Sequence, residues 1–147
     1  MIINALESSG QRAVLHAGWG GLGQEGLPEN VFKIDYVPHS WLFPRMKSVV
    51  HHGGSGTTAA GLRAGVPSLI IPFIFDQFFW ATRVADLGMG PDPIAYRNLT
   101  SAGLARGISQ AANDREMRIK SAAIGESIKA EDGVSNAIQA FGGRNSG

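Results

Sequence analysis

Apolar residues in this chain fall into short blocks set between glycine- and proline-rich punctuation. Arg12 to Ala17 (RAVLHA), Val31 to Ile34, Ser48 to His51 and Ser68 to Ile71 are each a few residues long and bounded by turn formers, the signature of buried strands. The stretches between and after them carry helical spacing. Residues 2–9 read as the end of a helix, and 57–64 and 76–87 as helices broken by Gly65-Val66-Pro67 and by Gly88 to Pro93. Three more helices are expected at roughly 101–112, 114–130 and 132–141. Asp76 and Thr100 stand where N-caps belong. Gly18 to Asn30 reads as a loop, and Pro38 to Pro44 as a turn with one helical turn through Trp41 and Phe43. Residues 1–141 then form one domain and 142–147 a frayed, disordered tail.

Strands alternating with helices imply an α/β fold, a Rossmann-like parallel sheet with helices on both faces. Ligands of such sheets sit outside the carboxyl ends of the strands. Four segments share that rim: Gly18 to Gly23, Tyr36 to His39, the loop after His52, and Pro72 to Gln77.

Composition narrows the classes. At 147 residues, with 44% hydrophobic and 17% charged, the chain can bury a core. A formal net charge of +1 leaves no basic field, so no nucleic-acid partner is expected. With no cysteine there is neither a disulfide framework nor a thiolate metal site. The longest apolar stretch, Pro67 to Phe75, is far short of a membrane span. The opening residues lack the pattern of a secretory leader, so a cytoplasmic setting is expected.

The richest chemistry lies at His51-His52-Gly53-Gly54-Ser55-Gly56-Thr57-Thr58. A strand leading through a Gly/Ser/Thr loop into a helix N-terminus makes an anion site, because the free N–H groups of the first turn and the helix dipole favour negative charge. Ser55, Thr57 and Thr58 offer hydroxyl donors. Such turns also occur for packing alone. The two adjacent histidines point to opposite faces, so a shared metal is not expected; one packs inward and the other faces the loop. The loop is neither a Walker sequence, lacking Gly-Lys-Ser/Thr, nor a nucleophile elbow, since Thr57 stands where glycine is needed. With no HExxH, EF-hand or Asp-x-Asp pattern, no metal and no cofactor are expected. Gly18-Trp19-Gly20-Gly21-Leu22-Gly23 matches G-x-G-x-x-G, but it runs toward a strand rather than opening a helix, which weakens a nicotinamide-enzyme reading. Asp76-Gln77 sets a carboxylate beside a carboxamide, a pair suited to the hydroxyls of a polyol, although Asp76 could serve as a cap alone. Most of the aromatic cluster Phe78-Phe79-Trp80 is expected in the core.

Pro38-His39-Ser40-Trp41-Leu42-Phe43-Pro44, Val49 through Thr58, Leu62-Arg63-Ala64-Gly65-Val66-Pro67 and Asp76-Gln77-Phe78-Phe79-Trp80 together resemble the donor-binding half of sterol 3-beta-glucosyltransferases. These are UDP-sugar-dependent enzymes of GT-B fold in glycosyltransferase family 1. The likeness runs over roughly Gln11 to Phe141 and extends to Gly88-Met89-Gly90-Pro91 and Ala130-Glu131-Asp132-Gly133. It implies that Val37 and His39 lie near the nucleoside, that His52, Ser55, Gly56 and Thr57 contact the diphosphate, and that Asp76 and Gln77 bind the sugar hydroxyls. It implies metal-free glucosyl transfer with inversion to a sterol or similar lipophilic acceptor, and peripheral membrane association of the full enzyme. Ser40 departs from a common Asp, and Ala60 stands where plant-type relatives place a ribose-binding Glu. The resemblance also places the acceptor-binding domain with its catalytic base, and the first strand and Gly-Ser loop of the donor domain, before residue 1. No catalytic residue is therefore expected here, and the chain alone is expected to be inactive. A non-catalytic nucleotide-sugar binding module, or an inactive fragment, is the alternative.

Overall fold

The computed structural model describes residues 1–16, 27–131 and 133–142. In chain order, α1 (Ile2–Ser9) ends on a left-handed Gly10. β1 (Ala13–His16) and β2 (Val31–Ile34) follow. A short α2 (His39–Leu42) runs directly into a 3-10 turn, Phe43–Arg45. β3 (Val49–His51), α3 (Ser55–Ala64), β4 (Ser68–Ile70) and α4 (Asp76–Asp86) carry the middle of the chain. A second 3-10 turn, Tyr96–Asn98, precedes α5 (Ser101–Asn113), α6 (Arg115–Ala130) and α7 (Gly133–Gly142). α7 takes in Gly142, which the sequence assigns to the tail; residues 143–147 lie outside the described residues.

The strands are parallel, as alternation predicts, but they form two pairs. β1 pairs with β2, Ala13 opposite Val31, and β3 with β4, Val49 opposite Ser68. Among the described residues no ladder joins the pairs.

β4 explains the layering. Successive side chains of a strand point to opposite faces. Leu69 enters a cluster with Ala5 and Leu6 of α1, Val31 of β2, and Leu104, Ile108 and Ala111 of α5. Ile70 enters another with Ala81 and Val84 of α4 and Met89. Leu69 and Ile70 are 0% and 1% exposed, so β4 is covered on both faces, as a parallel strand requires. Each such side chain contributes about 1.5–3 kcal/mol. The second edge of β4 is covered too: Ser68 N–H donates to Met89 O at 2.9 Å and Ile94 N–H to Ile70 O at 3.1 Å.

Thr100 caps α5, its Oγ1 accepting from Gly103 N–H at 3.1 Å, and Asp114 caps α6 through Met117 N–H at 2.9 Å. Asp76 does not cap α4. Phe75 holds the N-cap position, and Asp76 is the first helical residue, where its charge suits the dipole. The aromatic cluster is also placed differently. Ala81 and Val84 are the buried residues of α4, so the helix turns Phe78 and Phe79 outward, Phe79 to 63% exposure.

Candidate functional site

The loop from His51 to Thr57 lies at the carboxyl end of β3 and opens α3. Its first contact is internal. Gly53 N–H donates to His51 Nδ1 at 3.1 Å, which puts the proton of the neutral ring on Nε2. Nε2 is buried without a hydrogen-bond partner. Burial, and then the charges of His52 and His39, lower the His51 pKa from 6.5 to about 4. His51 is thus a neutral, inward-packed pin for the loop. His52 turns outward and is exposed, with its ring folded over Gly54.

Gly54 is the extended N-cap of α3, and no side chain caps the helix. The helical ladder begins with Thr58 N–H on Gly54 O at 2.9 Å. The N–H groups of Ser55, Gly56 and Thr57 lie ahead of it, at the positive end of the dipole. Ser55 and Gly56 are exposed and Thr57 half-buried. A Cβ on Gly56 would meet nothing within 4 Å, so the approach there is open. Thr58 is corrected as a hydroxyl donor: it is 1% exposed and its Oγ1 is buried, out of reach of a ligand at the loop.

The second loop follows β4. Gln77 Oε1 accepts from Phe73 N–H at 2.8 Å and Ile74 N–H at 3.2 Å. The carboxamide therefore clamps its own loop, and only Nε2 remains to donate outward. Asp76 is exposed beside it. The two loops touch: a Cβ built on Gly53 would lie 3.1 Å from Gln77 O and 3.5 Å from Gln77 Cα. The anion loop and the Asp76-Gln77 pair are therefore packed backbone to backbone.

The third segment leaves β2. Val37 is half-buried; His39 opens α2, is exposed, and stacks on Phe43 with ring centroids 4.4 Å apart. Its charge is felt at His51, which ties this segment to the same rim. The Gly18 to Gly23 loop lies outside the described residues. Two aromatics inside the expected rim segments, to which the sequence assigns no role, are strongly exposed: Tyr36, just before Val37, and Phe75, just before Asp76. Among the described residues no group of three His, Asp or Glu side chains could hold a metal ion.

Comparison with known proteins agrees with this architecture. The glycosyltransferase VinC, solved in complex with DTDP, superposes with a TM-score of 0.76 at 27% identity, over 88% of this chain and 33% of that one. The glycotransferase of kitacinnamycin gives 0.82 at 25% identity, over 95% and 38%. The fold is that of the C-terminal domain of GT-B glycosyltransferases. A sterol 3-beta-glucosyltransferase of Arabidopsis thaliana is 46% identical over 144 residues, 96% of this chain, and one of Yarrowia lipolytica is 43% identical over 148 residues, 95% of it. The chain spans 22% of the first relative and 10% of the second. The model of the Erythromycin biosynthesis protein CIII-like, C-terminal domain family matches residues 13–139, and the chain belongs to that family.

Proposed function

We propose that this chain is the donor-binding part of a UDP-sugar-dependent glycosyltransferase that moves glucose, with inversion, to a hydroxyl of a sterol or similar lipophilic acceptor. The observation that supports it best is the packing of Gly53 against Gln77, which sets an uncapped helix N-terminus beside a carboxylate–carboxamide pair. A diphosphate followed by a hexose has that order of chemistry. His52, Ser55, Gly56 and Thr57 would hold the diphosphate, Asp76 and Gln77 the sugar, and Val37 and His39 the nucleoside.

In the reaction, the acceptor oxygen attacks the anomeric carbon as the bond from that carbon to the diphosphate oxygen breaks. The acceptor proton passes to a base outside this chain. The charge that develops on UDP meets the N–H groups of Ser55, Gly56 and Thr57, fixed in place before the reaction. No metal or cofactor is needed for these steps, and the reading assigns the enzyme to the cytoplasm, at a membrane surface.

Calorimetric titration of the chain with UDP and with UDP-glucose tests the reading. Micromolar binding of both is expected. Asp76→Asn should weaken UDP-glucose about tenfold, as loss of a hydrogen bond to a charged group does, and leave UDP unchanged. A chain that melts cooperatively yet binds neither nucleotide overturns the proposal.

A further inference from the structure

We propose that Phe75 is a wall of the sugar subsite, an aromatic ring held against the apolar face of the donor's hexose. The inference rests on the UDP-sugar reading above. Phe75 has φ 48 and ψ −128, and among the described residues it alone is a non-glycine with positive φ. A side chain with a Cβ adopts that backbone only under strain. Burial does not offset the strain, because the ring is 85% exposed, more than any other large hydrophobic side chain described.

The surroundings enforce the conformation. Gln77 Oε1 grips Phe73 and Ile74 N–H on one side, and Phe78 N–H donates to Phe75 O at 3.3 Å on the other. Gln77 in turn abuts Gly53. The loop that reads the sugar and touches the anion loop thus projects one bare aromatic ring immediately before Asp76. A hexose presents hydroxyls around its edge and C–H bonds on its faces. A carboxylate for the edge and a ring for the face, on consecutive residues, are complementary to it. Phe78 and Phe79 are also exposed, but they sit on the regular turns of α4, where no strain holds them.

The test is titration of the chain and its variants with UDP and UDP-glucose, paired with thermal melts. Phe75→Ala should weaken UDP-glucose relative to UDP by about fivefold, the scale of one aromatic contact, and Phe75→Tyr should keep the wild-type ratio. Phe75→Gly should lose the ratio like Phe75→Ala yet melt higher, because glycine accepts the backbone without strain. It thereby supplies the ring-free measurement even where the alanine chain folds poorly. An unchanged ratio in Phe75→Ala or Phe75→Gly, with UDP still bound, overturns the Phe75 proposal alone. Failure of the wild-type chain to bind UDP overturns the donor reading and this one with it.

Discussion

Gly53→Ala is expected to destabilise the chain by about 3 kcal/mol and to abolish nucleotide binding. Gly53 has φ +91, a backbone that an L side chain resists, at a cost of about 1–2 kcal/mol. The added methyl has no room: it would lie 2.7 Å from Ile70 Cγ2 and 3.1 Å from Gln77 O. Ile70 is 1% exposed in the core, and Gln77 O is backbone, so neither yields cheaply. Overpacking of this kind costs about 1–3 kcal/mol more. Relief by moving the loop separates the start of α3 from α4, which parts the diphosphate and sugar contacts. Gly56→Ala is the control, since its Cβ meets nothing and its stability should hold or rise slightly. Urea denaturation checks both. A Gly53→Ala midpoint equal to wild type would mean that the contact between the loops is dispensable.

Acidification is the second large effect. His51 is neutral in the fold down to about pH 4, whereas the unfolded chain protonates it near 6.5. Above pH 6.5 it is neutral in both states and contributes no pH dependence. Between 6.5 and 4 the unfolded state binds more protons, so stability falls as pH falls. The penalty is complete below about 4 and reaches about 3 kcal/mol. Protonation has a local consequence as well: Nδ1 becomes a donor facing the Gly53 N–H, and the pin of the loop is lost. Urea denaturation at several pH values between 7 and 4.5, on wild type and His51→Asn, isolates the effect. Asparagine can offer an oxygen acceptor to Gly53 N–H and does not titrate. The wild-type stability should drop more steeply, and parallel slopes would refute the assignment.

The fold was legible where period and punctuation agreed. β4, α5 and α6 fall close to their expected places because Gly65-Val66-Pro67 punctuates the chain before β4, Thr100 is a good cap and the apolar spacing on α5 is regular; Asp114, expected as the first residue of its helix, is instead the cap. The split of the sheet lay in no local pattern, since pairing depends on which strands are neighbours in space. Residue types also hinted at the site: glycines, hydroxyls and a histidine pair at one strand end, a carboxylate and an amide at another. Their division of labour was not readable. Thr58 and Thr57 are equal as letters, and helix phase alone turns the first inward. His51 and His52 differ only through the burial of one. Phe75 gave no signal, because phenylalanine is not a residue that announces positive φ. Hydrophobicity alone does not give burial in α4, where small Ala81 and Val84 face the core and the larger Phe78 and Phe79 face outward.

Among the described residues the two strand pairs share no ladder, so only side-chain packing, chiefly Leu69 of β4 against Val31, α1 and α5, couples one pair to the other. β1 and β2 answer to α1 and α5 through Val31 and its neighbours. β3 and β4 carry the loops that read phosphate and sugar. A nucleotide held at α3 should therefore slow exchange most in β3, β4 and α3 and least in β1 and β2, which exchange mass spectrometry with and without UDP resolves.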